Sequence, residues 1–353
     1  MSKTQVITVN GRAIGAESPV FVIGEMSGNH NGSLDRALEI VDAIAGAGAA
    51  ALKIQTYTAD TLTIDVDLPP FRVASGHSLW SDRTLYDLYE EAHTPWEWHR
   101  AIFERARQQD LIPFSTPFDP TAVALLEELG VELYKTASAE IVDLPLMREI
   151  AATGKPMVVS TGMATLAEVD AAVNAIRGAG SSPIVLLACT AAYPADPAEA
   201  RLGNIALLRE AFDVPVGLSD HTPGVGVAVA AAALGAVAIE KHVTLDRADG
   251  GVDSEFSLNP DELAALVRAA EQARVGVRSG VGFGPTEEES TMLALRRSLY
   301  VVEEVRAGDE VSAANVRSIR PAGGLAPDAF DDVAGRRFTQ DVGRGTPLTW
   351  DVL

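Results

Sequence analysis

Two apolar runs in the second half of the chain each end in a histidine beside a carboxylate: "VGLSDH" at 216–221 and "VAIEKH" at 237–242. An imidazole whose neighbours fix one ring nitrogen serves as a metal ligand or a proton carrier. Two of them, His221 and His242, arriving on consecutive strands would offer nitrogen donors to one divalent ion and leave other positions open to water or substrate oxygens. No cysteine ligand accompanies them, which disfavours structural zinc with its four closed N and S positions. A hard or borderline ion such as Mn2+ fits better, with Mg2+ or Co2+ as alternatives.

Other strand-like runs also finish in polar groups. Glu25 ends one, Lys53 and Gln55 another, Ser115 and Thr116 a third, and Lys135 and Ser138, followed by Glu140, a fourth. Thr190 with Tyr193 just beyond, Ser219, and Glu240 continue the series. Two lysines among hydroxyls make an anion pocket. Any one of these residues alone reads more readily as a salt-bridged or hydrogen-bonded core residue. Their repetition at nearly every strand end is what points to a site.

The elements that must position them are eight strands: 19–25, 50–57, 111–117, 132–138, 156–162, 184–190, 214–220 and 237–243. Amphipathic or alanine-rich helical stretches separate them, the first being "SLDRALEIVDAIAGAG" with Ser33 or Asn31 as cap and Gly48 as stop. Eight βα units in a row predict an α/β fold, a (β/α)8 TIM barrel, whose chemistry sits where strands run into the following loops. An open doubly wound sheet is the alternative, but no GxGxxG follows the first strand. Side chains two apart share a face, so Lys53 with Gln55, Ser219 with His221, and Glu240 with His242 should converge on one mouth. One connection, residues 58–93, is long and rich in aromatics, as expected of a loop that shapes a pocket. After residue 276 the pattern changes to short strands punctuated by Gly, Pro and Asp. The expected division is a barrel over 1–280, a linker over 281–292 and a small domain over 293–353.

Composition narrows the function classes. With 353 residues, 47% of them hydrophobic and 22% charged, the chain can bury a substantial core. A net charge of −21 would repel a phosphate backbone, so nucleic acid is not the expected partner. The single cysteine, Cys189, excludes an internal disulfide framework and fits a reducing compartment; it reads as a small packed residue. No secretory leader is visible, and "GVAVAAAALGAVAIEKH" is too interrupted for a membrane span, so a cytoplasmic protein is expected.

Several motifs together resemble one family. "GEMSGNHNGSLDRA", "ALKIQTY", "YKTASAEI", "GLSDHT" and "IEKHVTL" are similar to those of the sialic acid synthases, and "RSLYV", "VRSIRP" and "AGGLAP" to the antifreeze-like (SAF) domain that follows the barrel in them. The resemblance spans nearly the whole chain. It implies condensation of phosphoenolpyruvate with an open-chain amino sugar. Carried over position by position, it implies that Lys53, Ser115 or Thr116, Lys135, Ser138 and Ser219 hold phosphoenolpyruvate and that His221 and His242 hold Mn2+. Glu25, Glu140 and Glu240 would stabilise charge or handle protons, with Glu140 steering the attacking water. Gln55, Tyr193 and Asp253 would contact the sugar. Arg320 matches an arginine that one subunit lends to the other, implying a domain-swapped homodimer.

Within the family, the long insertion is most similar to the pseudaminic acid branch, which takes 2,4-diacetamido-2,4,6-trideoxy-L-altrose. Ala191 stands where the neuraminic branch has asparagine, which weakens an N-acetylmannosamine assignment. Neuraminic or legionaminic acid synthesis is the runner-up. A non-catalytic sugar or phosphate binder is the alternative of another class, and ice binding is disfavoured because the small module follows a complete barrel.

Overall fold

A computed structural model of the chain describes residues 5–73, 80 and 83–353. Residues 74–79, 81 and 82, part of the connection expected to shape the pocket, lie outside the described residues. The chain divides into two compact units, Met1–Ser279 and Gly280–Leu353.

The first unit opens with an antiparallel hairpin, β1 (Ile7–Val9) and β2 (Arg12–Ile14). Then come β3 (Phe21–Glu25), β4 (Ala51–Thr56), β5 (Ile112–Pro117), β6 (Tyr134–Thr136), β7 (Met157–Ser160), β8 (Ile184–Cys189), β9 (Val216–Asp220) and β10 (Ala238–His242). Among the described residues these eight, β3 to β10, pair in parallel and close into a barrel, β10 returning to β3. This is the expected TIM barrel.

Helices follow the strands in the expected order. They are α1 (Leu34–Gly46), the short α2 (Ala59–Leu62), α3 (Leu85–Ala92), α4 (His99–Gln108), α5 (Pro120–Glu128), α6 (Leu144–Ala152), α7 (Leu166–Ala179), α8 (Asn204–Phe212), α9 (Gly226–Ala233) and α10 (Pro260–Arg278). Ser33 caps α1, accepting from the Arg36 N–H. Reciprocal side-chain caps start α7 at Thr165 with Glu168 and α10 at Asn259 with Glu262, where Pro260 takes the first turn.

Strand parity sorts every side chain. One set, including Val22, Leu52, Ile54, Val159, Leu186 and Ile239, packs outward against the helices. The other set, including Phe21, Ile23, Ala51, Phe114, Val158 and Leu187, fills the barrel, and Ile7, Val9 and Ile14 of the hairpin join this inner cluster. Burying each such side chain contributes about 1.5–3 kcal/mol. Two positions beyond the inner apolar layer, the same faces carry Glu25 after Ile23, Lys53 after Ala51, Ser160 after Val158, Cys189 after Leu187 and Glu240 after Ala238. The barrel interior is thus apolar in its middle and polar where the strands end.

The second unit pairs β11 (Ser298–Val301) with β12 (Val316–Ile319) in antiparallel register. Its own core gathers Leu299, Val301, Val316, Phe338, Val342 and Leu348.

Candidate active site

Lys53 is the central cation of the polar layer. Its Nζ lies 2.6 Å from Glu25 Oε2 and 3.4 Å from Glu240 Oε1, and Lys135 Nζ lies 3.8 Å from that same Glu240 oxygen. All four side chains are buried. Strand register explains the meeting: Glu25 pairs with Lys53 across β3 and β4, and with His242 across β3 and β10. Two cations and two anions balance, which is the condition for keeping charges in a core.

The two carboxylates are driven apart. Burial raises Glu25 above the usual carboxylate range, the attraction of Lys53 notwithstanding. On Glu240 burial also acts upward but is outweighed by Lys135, Lys53 and His221, which hold it below that range. Their surroundings differ: Glu25 has one ammonium beside it, and Glu240 has two. Ser219 Oγ donates to Glu240 Oε1 at 3.3 Å.

The two imidazoles meet edge to face with ring centroids 5.3 Å apart. His221 Nδ1–H donates to the Thr190 carbonyl at 2.9 Å, so in the neutral ring the lone pair is on Nε2. His242 is pushed well below its ordinary value by burial, then by His221 and Lys53, and stays neutral, the ligating form. Its Nδ1 is buried without a hydrogen bond, 3.7 Å from Asp253 Oδ2. This donor set fits a divalent ion: two imidazoles, with a carboxylate behind one of them. Among the described residues no group of three His, Cys, Asp or Glu side chains forms a metal cage.

The residues line one cavity of about 410 Å³, within the range of small-molecule sites. Lys53, Gln55, Lys135, Ser138, Ser219 and Glu240 are on its wall, as are Tyr193, His221, His242 and Asp253. Ser138 Oγ accepts from the Gly162 N–H at 3.0 Å. Tyr57, Leu85, Leu88, Tyr89 and Val252 also line the cavity, with Trp80 donating its Nε1–H to the Val252 carbonyl at 2.8 Å. The Tyr193 ring centroid lies 4.4 Å from that of His221 and 5.7 Å from that of Trp80.

Some expected residues are elsewhere. Ser115 faces outward, hydrogen-bonded to the Ile54 carbonyl at 3.0 Å and to Thr56 Oγ1 at 2.6 Å, because it has the parity opposite to inward Phe114; it does not line the cavity. Thr116 has the inward parity, yet its buried Oγ1 also stops short of the cavity wall. Glu25 sits behind Lys53, off the wall. Glu140 is off the wall as well; burial raises its carboxyl, with Lys135 pulling it down. Arg320 lies in the second unit, exposed, just after β12.

Other wall residues went unpredicted. Ser160, with a buried unpartnered Oγ, ends β7 and follows the same strand-end rule. Ser27 lies two positions beyond Glu25. Cys189, expected to pack as a small apolar residue, lines the cavity beside His221. Burial opposes charge on both, but their attraction for one another and for other neighbours outweighs it, holding the thiol below its ordinary value and the His221 ring above.

The NeuB family model matches residues 40–281, and a SAF domain matches 296–353. The chain belongs to the NeuB family. This NeuB-family protein is 41% identical to the pseudaminic acid synthase of Campylobacter jejuni over 335 residues, covering 94% of this chain and 96% of that one. It is 32% identical to the N,N'-diacetyllegionaminic acid synthase of the same species over 324 residues, covering 91% and 96%. Among solved structures, it superimposes on the N-acetylneuraminic acid synthetase of Leptospira borgpetersenii with a TM-score of 0.71 at 32% identity, covering 82% of this chain and 95% of that one. The family and fold read from the motifs therefore stand, and of the two curated synthases the pseudaminic one is the more similar.

Proposed function

We propose that the protein condenses phosphoenolpyruvate with 2,4-diacetamido-2,4,6-trideoxy-L-altrose and water, giving pseudaminic acid and phosphate. The observation that carries this reading is one cavity whose lining combines two chemically different sets of residues. Lys53, Lys135 and the hydroxyls of Ser138, Ser160 and Ser219 suit a doubly anionic phosphate and carboxylate. Tyr57, Trp80, Leu85, Leu88 and Val252 suit a methyl group and acetamido groups, and Gln55, Tyr193 and Asp253 supply polar contacts. Similarity to a pseudaminic acid synthase at 41% identity supports the same sugar.

His221 and His242 are the residues that would hold a divalent ion, Mn2+ in this proposal, whose chemistry is to polarise the sugar aldehyde as a Lewis acid. C3 of the enol attacks the aldehyde carbon while positive charge develops on C2. Ionised Glu240, beside Lys135, is the counter-charge for that centre. Glu25 holds the Lys53 ammonium in place at 2.6 Å. Water adds to C2, and phosphate leaves with cleavage of the C2–O bond; Glu140, expected to steer that water, stands off the cavity wall. The buried network of two lysines and two glutamates argues for turnover and against a mere binder.

The active assembly in this proposal is a domain-swapped homodimer, in which exposed Arg320 of one chain completes the site of its partner. We place it in the cytoplasm: no helix among the described residues is long and apolar enough to cross a membrane, and one cysteine suits a reducing compartment. Phosphoenolpyruvate carrying 18O in its bridging C–O–P position tests the reaction type. Label recovered in inorganic phosphate is expected, and label in the sugar acid would overturn C–O cleavage.

A further inference from the structure

Ser27 is held at φ +47°, a left-handed conformation that costs an L-residue about 1–2 kcal/mol and glycine nothing. It follows β3 by two positions, is buried, and lines the cavity. Three hydrogen bonds engage it. Its backbone N–H donates to Glu25 Oε1 at 3.0 Å, its Oγ donates to Asp253 Oδ2, and its Oγ accepts from Gln55 Nε2 at 3.1 Å. The hydroxyl thus donates its one proton toward Asp253 and accepts from Gln55 on one of its two lone pairs. Backbone strain of this kind persists where the surroundings over-determine it, and it clusters at functional sites.

The turn is also wedged in place. A Cβ on the next residue, Gly28, would lie 2.5 Å from Val252 Cγ2 and 3.2 Å from the Ala92 backbone, so the chain after β3 packs directly on the loop that carries Asp253. A glycine at position 27 would keep the N–H bond to Glu25 and remove the strain. Only the bonds to Asp253 and Gln55 require a hydroxyl.

We infer that Ser27 is a positioning residue: its hydroxyl fixes the Asp253 carboxylate against His242, and so orients one imidazole of the metal pair. The same Asp253 Oδ2 that accepts from Ser27 lies 3.7 Å from His242 Nδ1. At that distance the two are not hydrogen-bonded; a carboxylate that accepts from a ligating histidine's other N–H changes its metal affinity by roughly 10–100-fold, and Ser27 holds Asp253 where that bond could close when an ion binds. The inference rests on the metal-dependent reading proposed above and adds to it a residue that acts through Asp253.

The test uses the full-length protein and Mn2+ alone, by isothermal titration, alongside thermal unfolding. Ser27→Gly should melt at the same or a higher temperature than wild type and bind Mn2+ about tenfold more weakly. Ser27→Ala should bind as weakly without gaining stability, because it keeps the strained φ. Combining either with Asp253→Asn should weaken binding no further than Asp253→Asn alone, since the serine acts through that carboxylate. Wild-type Mn2+ affinity in Ser27→Gly would overturn the inference, as would a fully additive double variant. A wild-type protein that binds Mn2+ and turns over no sugar contradicts the proposed reaction while leaving the Ser27 result intact; one that binds no Mn2+ overturns both.

Discussion

The Lys53 ammonium rests 2.6 Å from the Glu25 carboxylate, and both groups are shut away from water. Removing one partner of a buried pair leaves the other uncompensated, at a cost of about 3–5 kcal/mol. Lys53→Met should therefore lower the free energy of unfolding by that order and abolish phosphate release. Adding Glu25→Gln to it should recover much of the stability, read by denaturant unfolding, without recovering activity. Stability unchanged in Lys53→Met would mean the pair is not the buried contact described.

His221 and His242 predict a different pattern. Each alanine variant should lose at least a hundredfold in turnover, as should the wild type in excess chelator, while melting within a few degrees of wild type. Full activity in a chelated sample would remove the metal from the account.

Ser115 and Ser160 separate wall from scaffold. Ser160→Ala should raise KM for phosphoenolpyruvate roughly tenfold, the order expected for one hydrogen bond to a charged group, with little change in Tm. Ser115→Ala should cost about 1–3 kcal/mol of stability and leave KM alone, because its hydroxyl serves Ile54 and Thr56. The reverse pattern would return Ser115 to the binding site.

The apolar part of the lining sets a preference for the sugar. Leu88→Ala removes apolar surface from the cavity lining and should reduce kcat/KM for the trideoxy sugar about 10–200-fold, with KM for phosphoenolpyruvate unaffected. Equal losses for both substrates would point to a collapsed pocket.

Buried His99 governs part of the acid response. Its Nδ1–H donates to the Pro95 carbonyl at 3.1 Å and Thr56 Oγ1 lies 2.8 Å from Nε2. Burial, the dominant cause, lowers it from the ordinary 6.5 to about 4. As pH falls the unfolded chain takes up the proton first, so this contribution is whole above about pH 6.5 and is lost progressively down to about pH 4. Between those limits the slope is about 1.4 kcal/mol per pH unit for one proton. His99→Gln should flatten the stability profile there by close to one proton, measured by urea unfolding across pH 4.5–7.5; an unchanged slope would place the titration elsewhere.

Much of this was readable before any coordinates because a barrel strand has period two. Apolar Ala51 and Ala238 announce the inner face, and Lys53 and Glu240 two positions later must share it. The same rule, pressed further, reaches Ser160 and Cys189, but each is the polar end of an otherwise ordinary apolar strand and carries no charge to draw notice. Choosing between Ser115 and Thr116 required knowing that Phe114 points inward. Ser27 was unreadable for another reason: nothing in "EMSG" states that the backbone turns left-handed there. The contact between Trp80 and Val252 joins loops 172 residues apart, which no local pattern encodes.

The most direct test is phosphate release from phosphoenolpyruvate by the Mn2+-reconstituted protein, with 2,4-diacetamido-2,4,6-trideoxy-L-altrose, the legionaminic precursor and N-acetylmannosamine compared side by side. Release with the first sugar at a kcat/KM at least a hundredfold above the other two is the predicted result. Preferential release with either of the others, or none with all three, would contradict it.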